Sequence, residues 1–286
     1  MRHGQSMWNQ DPNKPHAPWK YAGAVDIPLS EKGIKQAMQA GRHLKDLPID
    51  VVYCSMLIRA QTTTLIALAT HEDGKAPLLV RDTDSPEARG LRAHTRQMSE
   101  GAHQTVLPVY CSHLLNERNF GILQGMYEWE QKRKYSKEDL NDFRKEWNIH
   151  FPGGKSSLCF LNVLINIVIG ESQAEVYDRT VSFFERHIRP QLVAGKNVLI
   201  CCHGFVVRAL VAHILRLNPL EYRQHMLLDL KHDKASLLRS ANAIPRVFKF
   251  TADALPDDEP VFIHQGQFTE VSEKYFPQTP EKKSKL

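Results

Sequence analysis

Two short β-branched runs, Ile49-Asp50-Val51-Val52-Tyr53-Cys54-Ser55 and residues 197–202, each lead within a few residues into a stretch with helix-compatible apolar spacing. A strand that is apolar on both faces has to be covered on both faces. Further helical spacing at residues 34–47 and 175–193, beside 59–69 and 206–216, completes a strand-helix alternation. The alternation predicts an α/β fold: three layers, a mainly parallel sheet with helices on both faces. Ser30, ahead of Glu31-Lys32-Gly33, is placed to cap the first helix.

At 286 residues the chain is long enough for one large α/β domain with insertions or for two small ones. Residues 1–255 read as one catalytic domain and 256–286 as an extension, with a disordered tail from about residue 277 where Pro and charge accumulate. Two insertions are expected inside the domain. Residues 70–104 are polar and punctuated by Gly and Pro, which predicts a long surface excursion. Residues 155–170 carry an apolar run at 158–169, about half the ~20 residues a membrane span needs, so no membrane insertion is expected. No signal peptide is expected from this sequence.

The formal charge of +5 is spread through both halves with Lys and Arg mixed among Asp and Glu, so it does not mark a nucleic-acid binder. Small phosphorylated substrates need only a local basic pocket. Five cysteines without C-x-x-C spacing suit reduced, packed thiols better than disulfides or a zinc site, and no metal-ligand cluster is visible. The terminal Ser284-Lys285-Leu286 reads as an address for the peroxisomal import receptor. The peroxisome is therefore the expected location, and the cytoplasm the alternative.

Four blocks carry the chemistry. They are Arg2-His3-Gly4-Gln5-Ser6-Met7-Trp8-Asn9, Ser55-Met56-Leu57-Ile58-Arg59-Ala60-Gln61-Thr62, residues 115–125 around Glu117-Arg118, and Cys202-His203-Gly204 at a strand end. Singly each is weak. Together and in this order they resemble the histidine phosphatase superfamily, in its cofactor-dependent phosphoglycerate mutase branch. The resemblance implies a phosphohistidine formed on His3, with Arg2, Arg59 and His203 stabilising the transition state and Glu117 trading the proton. Phosphoryl transfer is governed by positioning and electrostatics, and these residue types suit that task. Open α/β sheets also place their sites at strand C-terminal ends, where these blocks fall.

The same resemblance implies that Asn9, Ala22, Gly23, Arg118, Arg144, Lys145 and Gly204 hold the substrate. Interconversion of 2- and 3-phosphoglycerate would then be the reaction, in glycolysis or gluconeogenesis, with 2,3-bisphosphoglycerate as priming phosphoryl donor. Several positions depart from the branch. Glu128 stands where a substrate-binding lysine is expected, with Lys132 or Lys134 as possible substitutes, and Phe205 follows His-Gly in place of Asn. Ala22, Gln5 and Phe120 replace a hydroxyl-bearing residue, Glu and Tyr. A phosphatase of a small phosphorylated metabolite is therefore the alternative.

The resemblance also implies an apolar strand leading into Arg2-His3-Gly4, and that first strand is missing ahead of Met1. Its loss is expected to weaken the support of His3. With the break at 155–170 it motivates a further alternative, an inactive member or a chain whose start codon and intron were misassigned.

Overall fold

The computed structural model describes residues 1–9, 19–69, 71, 74–81, 105–152, 170–230, 236–238, 240–250, 261–264 and 267–268. Its centre is a four-stranded sheet, all parallel, in the order β2-β3-β1-β4. The strands are β1 (Val51–Ser55), β2 (Ala76–Arg81), β3 (Val106–Ser112) and β4 (Val198–Cys201). All five residues of β1 are buried, as a strand between two helical layers must be. Alternation sends Val51 and Tyr53 to one layer and Val52 and Cys54 to the other.

On the second face lie α1 (Glu31–Leu44) and α2 (Ile58–Leu68), packed through Ala40, Leu44, Ala60, Ala67 and Leu68. The Ser30 side chain accepts from Gly33 N–H and starts α1 as expected. Two short helices, α3 (Glu128–Lys134) and α4 (Lys137–Lys145), follow β3 in the chain. On the first face lie α5 (Gln173–Phe183) and α6 (Gly204–Ile214), joined through Val176, Phe183, Val207, Leu210 and Val211. α5 continues through a π turn, Phe184–Ile188, into a short helix, Arg189–Val193. Pro190 lacks the N–H that an uninterrupted α-helix would use, and the wider turn sits just ahead of it. A last helix, α7 (Pro219–Leu230), follows α6.

Two strands lie where the sequence predicts none. The 70–104 excursion contains β2 at the sheet edge, and β3 follows at its end. The remainder of that excursion, apart from residues 71, 74 and 75, lies outside the described residues. So does the 155–170 insertion except for Gly170, whose N–H donates to Phe151 O. That contact closes the chain where it leaves and returns. The tail from residue 277 also falls outside the described residues. Within the extension, β6 (Val261–His264) pairs antiparallel with β5 (Arg246–Val247) and with β7 (Gln267–Phe268), forming a second small sheet.

The expected loss of support for His3 is answered in part by short pairings on either side of Arg2. Met1 N donates to Ile200 O, Cys202 N–H to Met1 O, and His3 N–H to Cys202 O. On the other flank Ala243 N–H donates to Arg2 O and Asn242 Nδ2 to His3 O. Arg2 thus bridges in parallel to both Cys202 and Asn242. Upstream along the same edge of β4 runs an apolar cleft of about 460 Å³, lined by Met1, Ile49, Ile188, Ile200, Leu210 and Phe248 among others.

Candidate active site

His3 is placed by backbone packing. A Cβ on Gly4 would lie 2.4 Å from Gly33 O, and one on Gly33 would lie 2.0 Å from Gln5 O. Only glycines let the segment after His3 lie against the first turn of α1 so closely. Thr63 Oγ1 then accepts from Gly4 N–H at 3.0 Å, while Gln36 Oε1 accepts from Gln5 N–H at 2.8 Å. His3 Nδ1 sits 2.6 Å from Gly4 O. A carbonyl only accepts, so Nδ1 carries the proton and Nε2 keeps its lone pair. Burial, with Arg2 and Arg59 next in effect, pushes the His3 pKa well below the usual value. The ring is therefore neutral at pH 7, the form that can attack phosphorus.

His203 lies beside it, ring centroids 4.9 Å apart. Its Nε2 is 2.7 Å from Ser55 Oγ, and that hydroxyl donates to Asn116 Oδ1 at 2.8 Å. The Ser55 proton is thereby used, so Nε2–H is the donor to Ser55 and Nδ1 is the acceptor in the neutral ring. Burial, then Arg59, lowers this pKa too. His203 Nδ1 is buried and has no hydrogen-bond partner among the described residues.

Arg59, in the first turn of α2, is 1% exposed and donates from Nη1 to Val25 O and from Nη2 to Gly23 O. Gly23 has φ +49°, a conformation that favours glycine, and a Cβ there would also push against the Gln124 side chain. Burial lowers the Arg59 pKa to about 10, which leaves the guanidinium charged at neutral pH. Its Nε is buried and lacks a partner among the described residues. Arg2 donates from Nη1 to Ser240 O. Glu117 rests on the N-terminus of α6: Oε2 accepts from Gly204 N–H at 3.0 Å, and Oε1 from Phe205 N–H at 3.2 Å and Arg118 N–H at 3.0 Å. A helix N-terminus is a natural seat for a carboxylate.

Arg2, His3, Arg59 and Glu117 line one pocket of about 220 Å³, which also takes in Asn9, Ala22, Gly23, Arg144 and Gly204, while His203 is fully buried beside His3 and does not line it. Two residues expected to bind substrate stand elsewhere. Arg118 is fully buried behind the wall, donating to Glu171 O and Ile149 O and stacked 4.4 Å from the Phe151 ring. Lys145 neighbours Arg144 on α4, but successive helical residues point about 100° apart, and only Arg144 lines the pocket. Arg144 donates from Nε to the Tyr21 hydroxyl and lies 5.9 Å from the Trp19 ring.

The sequence reading missed the outer wall: Trp19, Lys20, Tyr21, Phe151 and Arg208 all line the pocket. Glu128 pairs with Lys132 at 2.7 Å, and neither lines the pocket, nor does Lys134. The nearby cation is Lys20, whose Nζ lies 4.1 Å from the Tyr127 ring. Among the described residues five cations (Arg2, Lys20, Arg59, Arg144, Arg208) thus face the pocket, against one carboxylate, Glu117. Among the described residues no group of three or more His, Cys, Asp or Glu could hold a metal ion. No described helix is long and apolar enough to cross a membrane.

A neutral histidine with a fixed tautomer, ringed by guanidiniums and one carboxylate at the ends of parallel strands, defines a phosphoryl-transfer class of site. Residues 1–83 and 91–240 match the sequence model of the histidine phosphatase superfamily (branch 1), and the chain belongs to that family. It is 34% identical over 253 residues to the 2,3-bisphosphoglycerate-dependent phosphoglycerate mutase of Protochlamydia amoebophila, covering 88% of this chain and 94% of that protein. It is 32% identical over 219 residues to 2,3-bisphosphoglycerate-dependent phosphoglycerate mutase 1 of Arabidopsis thaliana, covering 76% of this chain. The match spans only a little over half, 57%, of the Arabidopsis protein. In fold it is similar to the alpha-ribazole phosphatase of Shigella flexneri, with TM-score 0.53, 20% identity and coverage of 90% and 91% of the two chains. YhfR of Bacillus stearothermophilus gives TM-score 0.53 at 18% identity, with coverage of 94% and 95%.

Proposed function

We propose that this protein interconverts 2- and 3-phosphoglycerate through a phosphohistidine at His3. The observation that carries the reading is the pocket's charge: three cations, Lys20, Arg144 and Arg208, remain beyond the two guanidiniums beside His3. A substrate with a second anionic group needs that surplus, and a simple phosphate ester does not. The curated relatives named as phosphoglycerate mutases support the same reading.

In the proposed cycle His3 Nε2 attacks phosphorus in line, forming the N–P bond as the P–O bond breaks. The electron pair leaves on the ester oxygen, which takes a proton from Glu117. In the return step Glu117 removes the proton of an acceptor hydroxyl, whose oxygen attacks phosphorus while the N–P pair returns to Nε2. Arg2 and Arg59 hold the charge spread over the phosphoryl oxygens, and His203 joins them as a donor once the arriving phosphate brings a proton onto its Nδ1. The buried donor Nε of Arg59 and the cation-rich wall fit 2,3-bisphosphoglycerate, which would supply the priming phosphoryl group.

One observation favours a second reading, a phosphatase of a small phosphorylated metabolite. The wall is aromatic, with Trp19, Tyr21, Phe120, Phe151 and Phe205 together, and Phe205 offers no hydrogen bond where the mutase branch has a polar side chain. Assaying the purified protein for interconversion of the phosphoglycerates, with and without 2,3-bisphosphoglycerate and alongside phosphate release, separates the two. Isomerisation dependent on the bisphosphate is expected; phosphate release without isomerisation rejects the mutase.

A further inference from the structure

We propose that Arg208 is a substrate-binding residue of this site, and that it takes an anionic group carried on the same carbon as the leaving oxygen. The proposal rests on the mutase reading and names a residue that reading does not assign. Arg208 stands four residues after Gly204 on α6, so the two lie on one face of the helix, and helical side chains lean back toward the N-terminus. Its head therefore rises over the first turn, where Glu117 is seated.

Geometry makes the placement specific. A single atom standing where a Gly204 Cβ would be lies 3.5 Å from Arg208 Nη1, 3.6 Å from Glu117 Oε2 and 3.7 Å from the Arg2 guanidinium carbon. Glycine at 204 keeps that convergence open to the pocket, which both Gly204 and Arg208 line. Phe205 orients the cation. Its ring lies 5.1 Å from the Arg208 guanidinium carbon and 5.1 Å from that of Arg118.

The phosphoryl oxygens are served by Arg2 and Arg59, whereas Glu117 must reach the oxygen that leaves. Whatever the leaving oxygen is attached to is therefore brought toward Arg208. A guanidinium is matched in shape to a carboxylate. In 2-phosphoglycerate a carboxylate is attached to the carbon bearing the ester oxygen. Glycerol 2-phosphate has the same skeleton with a neutral hydroxymethyl group in that place.

The test compares these two esters as phosphoryl donors to His3, by rapid-quench measurement of phosphohistidine, in the unsubstituted protein and in Arg208→Gln and Arg208→Lys. Thermal unfolding reports whether each variant is folded. Losing a charged hydrogen bond predicts a fall of about 30-fold or more in kcat/KM with 2-phosphoglycerate for Arg208→Gln, at least about tenfold more than with glycerol 2-phosphate. Arg208→Lys should recover part of that discrimination. Equal losses with both esters would overturn the proposal, as would no loss with either. If the unsubstituted protein accepts a phosphoryl group from neither ester, calorimetric binding of the two esters decides Arg208; if it accepts none from 2,3-bisphosphoglycerate either, the mutase reading fails and the same calorimetry decides Arg208 separately. A preference for 2-phosphoglycerate that Arg208→Gln abolishes supports the assignment; a preference that survives, or none at all, overturns it.

Discussion

The inner and outer halves of the pocket are built in different ways. Around the nucleophile, His3, Arg59 and Glu117 are buried and held by backbone: Gly4 O on the imidazole, Gly23 O and Val25 O on Arg59, and three N–H groups on Glu117. The outer wall is made of side chains on side chains, with Arg144 on Tyr21 and Trp19, Lys20 on Tyr127, and Arg208 on Phe205. Backbone-held groups keep one geometry and one chemistry. A wall of packed side chains can be exchanged without refolding the centre, so it sets which substrate is accepted.

Substitution tests that contrast. Glu117→Gln keeps the shape but removes the titrating oxygen, so kcat is expected to fall by about 10²–10⁴-fold, measured as single-turnover transfer. Arg59→Met removes a transition-state charge, for an expected loss of about 10²–10³-fold in kcat/KM. It also strands the Gly23 and Val25 carbonyls, so thermal unfolding should report a lower Tm. Gly4→Ala forces a Cβ against Gly33 O; the expected cost is about 1–3 kcal/mol in denaturant unfolding, with transfer impaired because His3 moves. In the outer wall Phe205→Asn should change the ratio of kcat/KM values between esters by less than about tenfold while leaving phosphohistidine formation intact. A large loss of phosphohistidine in that variant would break the distinction between the halves.

The two buried imidazoles add a dependence on pH. Both pKa values lie well below the usual 6.5, so near and below that pH the unfolded chain binds more protons than the folded one. Their contribution to stability is complete above about pH 6.5 and declines as the pH falls. Denaturant unfolding between pH 7.5 and pH 5 should show this loss, with a shallower slope in a His203→Gln variant.

The contrast also explains what could be read in the sequence. β1 and β4 were legible because each is an unbroken run of mostly apolar residues. β2 and β3 carry Pro77 and Pro108, which disguise them. Pro77 is tolerated at the sheet edge, and Pro108 faces β2 just before the β1 ladder begins at Val109. The inner residues lie in short blocks at strand ends, so the chain order alone groups them. Lys20 and Arg208 sit in no such block. An arginine one turn into an apolar helix reads as solvated until the fold turns it over Glu117. Conversely, Arg118 and Lys145 looked like ligands by adjacency, and helix rotation and burial carried them out of the pocket.

Everything in the functional reading depends on His3 carrying the phosphoryl group. Incubation with ³²P-labelled 2,3-bisphosphoglycerate, followed by alkaline quench and peptide mapping, measures that directly. The expected result is acid-labile, alkali-stable label on the peptide containing His3, chased by added 3-phosphoglycerate and absent from His3→Ala. Folded protein that takes up no label, or label that persists in His3→Ala, would contradict it.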